Sequence, residues 1–126
     1  MSVLIAPAKA ELAFVIDGGG LAITTGVKGH LRVPFGCVIE RVTLTADQAG
    51  SIQIDIWKST YAGFPPTDAG SITGGHEPNI AADSKYDDAV LTGWSKALSD
   101  GDILAFNVDS ATTITRVTVN LQVRKR

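Results

Sequence analysis

The side chains best suited to acid–base or metal chemistry are few and scattered. His30 lies in an alternating polar and apolar run, and His76 lies in a Gly-Gly-His-Glu-Pro segment, so the two histidines form no pair at metal-binding spacing. Asp83, Asp87 and Asp88 form a small acidic cluster that lacks the regular ligand spacing of a calcium loop, which is more typical of a solvated loop. We therefore expect no metal site and no cofactor.

The sequence also lacks the common motifs of catalysis and phosphate binding. Residues 17–20, one aspartate followed by three glycines, have no Lys-Ser/Thr after them and precede a β-like segment, so we interpret them as a turn. There is no G-x-S-x-G nucleophile elbow, and no carboxylate pair is evident at the spacing of a glycosidase. These observations predict a protein that is not an enzyme.

Aromatic side chains near the middle of the chain are the candidate binding residues. Trp57 stands at an outward position of a predicted strand, and Tyr61 and Phe64 follow it closely. Exposed aromatic rings commonly anchor protein interfaces or stack against sugars. The alternative, in which the long loop that follows folds over these rings, stays open.

Residues 1–10 are predicted to form an N-terminal arm ahead of a single domain, residues 11–126. Apolar side chains in the arm are costly to expose, so we expect these three to pack on the domain or on a neighbouring subunit: Val3, Leu4 and Ile5. The stretch is too short and too interrupted for a signal peptide, and no apolar run approaches membrane-spanning length. We therefore expect no membrane contact and synthesis in a cytoplasm-like compartment.

Charge and cysteine content exclude further classes of function. Eleven basic and thirteen acidic residues give a net charge of −2, so the chain lacks the excess of positive charge that is typical of nucleic-acid-binding proteins. Four basic and no acidic residues stand in residues 111–126, a dipolar layout that neighbouring subunits can use. The single cysteine, Cys37, permits no disulfide within the chain and is expected to be buried as a small hydrophobe.

The composition predicts the elements that must position these residues. Val, Ile and Thr contribute 34 of the 126 residues, and 13 Gly and 5 Pro divide them into short runs. Because β-branched side chains pack well on pleated surfaces and lose rotamer freedom in helices, the chain is expected to be all-β. Seven or eight antiparallel strands are expected in a two-sheet sandwich, jelly-roll-like, with one long middle loop.

Individual segments lead to more specific expectations. Residues 12–16 are apolar at every position, which predicts a first strand buried on both faces. Residues 37–58 alternate on either side of Asp-Gln-Ala-Gly, which predicts a hairpin with its turn at residues 47–50. Residues 60–88 lack sustained periodicity, so they predict a long loop held against the body by Tyr61, Phe64 and Ile72, or else one that contains short irregular strands. Residues 91–98 are compatible with a short strand or one helical turn.

Several segments together resemble a module of tailed-bacteriophage virion proteins, of the decoration or fibre type. The matching segments cover almost the whole chain after Ala10: residues 14–20, 24–26, 46–52, 55–58, 64–67, 91–94, 101–110 and 114–121. The resemblance implies a β-sandwich that works by assembly, and it transfers no catalytic residues. It also implies architectural roles, with Trp94 closing one end of the sandwich and Phe106, Val117, Val119 and Leu121 in the core.

These observations lead to two expectations for function. The first is a capsid decoration or cement protein, a homo-oligomer and most simply a trimer, bound to other virion proteins such as the major capsid protein. Many weak contacts repeated over a shell act together, so such a protein needs no single deep site. The alternative is a head-fibre, collar or tail-fibre module that binds a host-surface glycan through Trp57, Tyr61 and Phe64. Either role places the protein in the virion, after synthesis in the host cytoplasm.

Overall fold

The structure is a computed structural model, and it describes residues 8–126. The fold is all-β with antiparallel pairing, as the composition predicts, and seven strands are formed within the described residues. A single turn of 3-10 helix, Asp68–Gly70, interrupts the longest connection. The strands in chain order are β1 (Lys9–Asp17), β2 (Gly26–Arg32), β3 (Cys37–Ser59), β4 (Asn79–Asp88), β5 (Ala97–Leu98), β6 (Ile103–Thr112) and β7 (Arg116–Lys125).

The long strand β3 organises the sheet. Its first half, from Cys37 to Ala46, pairs with β7, and its second half, from Ser51 to Ser59, pairs with β6. Strands β6 and β7 therefore lie end to end along β3, while β4 and β5 pair with β3 as well. With β1 outside β7 and β2 outside β6, the order is β1-β7-β3-β6-β2. The result is one strongly curled sheet whose two halves share β3.

The predicted hairpin over residues 37–58 is wrong, because residues 47–50 continue β3 instead of turning. The carboxylate of Asp47 accepts hydrogen bonds from the hydroxyl of Thr115 and, at 3.0 Å, from the backbone N–H of Arg116, which ties this part of β3 to the start of β7. Gly50 allows a close approach, since a Cβ there would lie 2.6 Å from the carbonyl oxygen of Thr112. The turn-forming residues thus mark irregular pairing within one strand rather than a chain reversal.

The core lies between the two halves of the curled sheet. Phe14 of β1 stacks on Phe106 of β6, with ring centroids 4.5 Å apart and ring planes 6° from parallel. Leu12 and Ile16 are buried beside Phe14, but Val15 is 54 % exposed, so the prediction that this strand is buried on both faces is wrong. Every strand of a curled antiparallel sheet has one face towards the core and one away from it, and Val15 lies on the outward face of β1. The buried core also includes Cys37, Val117, Val119 and Leu121, as predicted.

The middle segment divides into a loop and a strand. The loop covers residues 60–78, and β4 begins at Asn79, so the predicted loop over residues 60–88 ends ten residues early. Ile72 is 2 % exposed and holds the loop to the body as expected. Tyr61 is 78 % exposed and does not, whereas Phe64, although 51 % exposed, contacts the ring of His30 on β2. Residues 91–98 form only the two-residue strand β5 at their end. Trp94 is buried and donates its indole N–H to the carbonyl oxygen of His76 at 3.0 Å.

Candidate functional site

The candidate site lies on the outer face of the β2–β6–β3 half of the sheet. Directly paired residues of neighbouring strands project to the same face. One row across this face consists of Trp57, Ala105 and His30, and the next consists of Ser59, Ile103 and Arg32. The intervening positions of β6, such as Leu104 and Phe106, are buried in the core, so these two rows point away from it.

Asp55 attaches the loop of residues 60–78 to this outer face. Its Oδ1 accepts hydrogen bonds from the hydroxyls of Ser71 and Thr73, both at 2.8 Å, and from the backbone N–H of Ile56 at 2.8 Å. Its Oδ2 accepts the indole N–H of Trp57 at 2.9 Å. With only 8 % of Asp55 exposed, the carboxylate is a buried acceptor whose four donors come from both β3 and the loop.

Trp57 is therefore part of the support beneath the site. Its side chain is half-buried, its indole N–H is committed to Asp55, and its backbone forms a bridge with that of Ser71 in the loop. The loop is thus tied to the strand beside Trp57, through Asp55 and through the backbone of Ser71. The other two predicted aromatic residues, Tyr61 and Phe64, form no hydrogen bond with Asp55 and are more exposed.

Tyr61, Phe64 and Ile103 line an open groove of about 420 Å³. Tyr61 is 78 % exposed and Phe64 is 51 % exposed. The ring of His30 meets the ring of Phe64 edge-on, with centroids 4.8 Å apart. A tight turn holds the two loop aromatics, because the N–H of Phe64 donates to the carbonyl oxygen of Tyr61 at 3.2 Å. We call this surface the aromatic groove.

A charged pair stands beside the aromatic groove. Arg32 is the register partner of Ile103 in β6, and its Nη2 lies 3.3 Å from Oδ1 of Asp100 in the turn before β6. Both side chains are more than 60 % exposed, at 62 % and 64 %, so the pair contributes little to folding stability. The pair instead leaves guanidinium donors and carboxylate acceptors open to solvent next to the apolar lining.

A second, more polar pocket of about 300 Å³ lies near the start of β3. Glu40 sits between two basic side chains there, with Lys9 Nζ at 3.2 Å and Arg124 Nε at 3.3 Å from its carboxylate. The Lys9 ammonium beside Glu40 holds the pKa of that carboxyl below its usual value. The glutamate thus neutralises part of the basic charge that surrounds the pocket.

The sequence pattern revealed only part of this site. His30 was visible in an alternating polar and apolar run, but nothing local places it beside Phe64. Nor does any local pattern place Arg32 beside Ile103 or Asp100. These contacts join residues from β2, β6 and the middle loop, so they depend on strand pairing that no local pattern encodes. The predicted arm residues Val3, Leu4 and Ile5 lie outside the described residues.

Within residues 8–126 no group of three or more His, Cys, Asp or Glu side chains is placed to hold a metal ion. The same residues form no helix that is long and apolar enough to cross a membrane.

Comparisons with known proteins give no family for the chain. No protein-family model matches it, and neither does any curated protein. Among solved structures it is similar to the SPBc2 prophage-derived protein YomS, with a TM-score of 0.46 and 16 % identity over 98 % of this chain and 100 % of that one. It is also similar to part of a serine protease of Aeromonas sobria, with a TM-score of 0.36 and 11 % identity. That match covers 98 % of this chain and 28 % of the protease. Both similarities are weak and concern the course of the chain, with no bearing on what this protein does.

Proposed function

We propose that this protein is a non-enzymatic structural component of a tailed-phage virion, and that it decorates the head surface as a homotrimer bound to the major capsid protein. The sequence motifs that resemble phage virion modules support this role. The observation that carries the proposal is the apolar exposure of the two outermost strands and their connection. Val15 of β1 is 54 % exposed, Val27 of β2 is 45 % exposed, and Leu21 in the connection between them is 75 % exposed.

Apolar side chains exposed on adjoining segments are a typical feature of surfaces that contact other proteins. Among residues 8–126, strands β1 and β2 also each have only one neighbour in the sheet, β7 and β6 respectively, so within that range each leaves backbone groups on its outer edge for a partner. A trimer would bury these residues on each subunit. Repetition over the shell would then turn modest contacts into stable attachment.

The oligomeric state is tested on the purified full chain by light scattering coupled to size exclusion. We expect three times the chain mass of 13.2 kDa. Substituting Leu21→Lys together with Val15→Lys should give a folded monomer, because charge would replace apolar contacts. The matched control is Thr45→Lys, an exposed strand position outside β1, β2 and their connection, which should stay trimeric. A monomeric unsubstituted chain, or a trimer that survives the double substitution, would overturn this assembly.

The position on the particle is tested by electron microscopy of virions made with and without the gene. Density on the capsid surface that disappears with the gene is the expected result. Particles whose capsid surface is unchanged would reject the decoration role. Density lost from the collar, head fibre or tail instead would favour the alternative, an appendage module that binds a host-surface glycan.

A further inference from the structure

We propose that the aromatic groove of Tyr61, Phe64 and Ile103 binds a saccharide, with Arg32 and Asp100 at its rim forming hydrogen bonds to the sugar hydroxyls. The inference goes beyond the virion role proposed above, because it concerns a ligand site that is independent of where the protein sits on the particle. It also differs from the expectation drawn from the sequence, since Trp57 is excluded and the charged pair is added.

The floor of the groove suits the apolar face of a sugar ring. Phe64 and Tyr61 offer aromatic surface that stays accessible on the folded chain, at 51 % and 78 % exposure, and Ile103 continues this surface on β6. A volume of about 420 Å³ lies in the range typical of small-molecule sites. The groove is therefore of a size for one or two sugar units rather than for a long peptide.

The rim supplies the polar chemistry that a sugar requires. Arg32 presents several N–H donors in a planar fork, and Asp100 presents carboxylate acceptors 3.3 Å away. Neighbouring hydroxyls of one sugar ring act as donor and acceptor together, so they match a donor and an acceptor held side by side. A phosphate or other anion would meet repulsion from Asp100, and a purely apolar segment would offer no hydrogen-bonding groups to the remaining donors of Arg32 and acceptors of Asp100.

The groove is also held in place before any ligand arrives. The turn of residues 60–64 is closed by two hydrogen bonds, Gly63 N–H to Thr60 Oγ1 at 3.1 Å and Phe64 N–H to the Tyr61 carbonyl at 3.2 Å. The ring of His30 supports Phe64 from β2 at a centroid distance of 4.8 Å. Farther along the loop, Asp55 fixes Ser71 and Thr73 to the sheet. Preorganisation of this kind reduces the conformational entropy lost on binding.

The experiment is a titration of the isotope-labelled full chain, followed by amide NMR, with the methyl glycosides of glucose, galactose, rhamnose and N-acetylglucosamine and then with bacterial surface polysaccharide. We expect at least one saccharide to shift the amides of Gly63, Phe64 and Ile103 in a saturable manner. Phe64→Ala should weaken that binding roughly tenfold, through loss of the stacking surface. Arg32→Gln should weaken it by a similar factor, through loss of charge-assisted hydrogen bonds.

The control is Val90→Ala, which truncates an apolar side chain that is even more exposed than Phe64, on a different surface, and it should leave the binding unchanged. If no saccharide shifts these amides, or if Phe64→Ala binds as well as the unsubstituted chain, the proposal fails. If the amides shift on dilution of the protein alone, a second copy of the chain occupies the groove, and the proposal fails in that case too. None of these readouts depends on the virion, so they do not test the decoration role.

Discussion

A Cβ placed on Gly29 of β2 would lie 2.6 Å from the Cζ atom of Phe14 in β1. Phe14 in turn stacks on Phe106, so these contacts join the two outermost strands of the sheet across the core. Gly29 thus leaves room for an aromatic ring of β1, although β1 and β2 stand at opposite ends of the strand order.

Substituting Gly29→Ala should therefore destabilise the protein by about 1–3 kcal/mol, because the added methyl group overpacks the core against the Phe14 ring and Gly29 has a φ of +157°, which L side chains rarely adopt. Urea denaturation followed by fluorescence measures the change. The matched control is Gly36→Ala, where a Cβ would meet nothing closer than 4.0 Å. In a Phe14→Leu background the cost of Gly29→Ala should shrink, and equal costs in both backgrounds would contradict the proposed clash.

Substituting Asp55→Ala should lower the free energy of unfolding by about 2–4 kcal/mol, because the donors of Trp57, Ser71 and Thr73 would lose their buried acceptor. Hydrogen exchange should also rise at the amide of Ile72, whose N–H donates to the Ile56 carbonyl at 2.9 Å. Ser71→Ala removes one donor and leaves the acceptor satisfied by others, so it should cost less. Equal effects of the two substitutions would show that Asp55 does not anchor the loop.

Stability should fall in the acid range because two carboxylates are held ionised by partners. The hydroxyl of Thr115 holds the pKa of Asp47 below its usual value, and Lys9 does the same for the pKa of Glu40. In the unfolded chain both carboxylates bind protons more readily. Their contribution to the free energy of unfolding is therefore present above about pH 4 and is lost as pH falls through the folded-state pKa of each group.

Unfolding free energy measured against pH should therefore decline below about pH 4, and Asp47→Asn should make that decline shallower. Thr115→Val is the matched control, because it removes the hydroxyl donor and leaves the carboxyl in place. It should flatten the same part of the curve. An unchanged slope in both variants would refute the role of this hydrogen bond.

The Cys37 thiol should be unreactive in the native protein. The residue has no exposed surface, and burial raises the pKa of the Cys37 thiol. A reagent therefore cannot reach the sulfur, and the reactive thiolate form is disfavoured. Ellman's reagent should titrate no thiol under native conditions and one thiol per chain in denaturant. Ser84→Cys, at an exposed position of β4, should add one thiol that reacts at once. Rapid native labelling of the unsubstituted chain would contradict the burial.

The alternating patterns determined the β class and much of the core. Val117, Val119 and Leu121 were expected in the core and are fully buried, at every second position of β7, because a period of two is a local property of each strand. The same reasoning failed for Val15, since an apolar residue at an outward position carries no sign of whether a neighbour covers it. The resemblance to phage modules likewise concerned segments, and local segments carry no information on where the protein acts.

Only the tertiary structure decided how the strands are joined and where the groove lies. Residues 47–50 have the composition of a turn, yet they continue β3, because the anchoring of Asp47 by Thr115 and Arg116 and the pairing of Gly50 with Asp83 of β4 favour an extended chain. Trp57 and Phe64 looked equivalent in the sequence, but Trp57 is half-buried with its indole N–H bonded to Asp55, whereas the turn of residues 60–64 leaves Phe64 51 % exposed. Both outcomes rest on contacts between residues far apart in the chain, which no local pattern specifies.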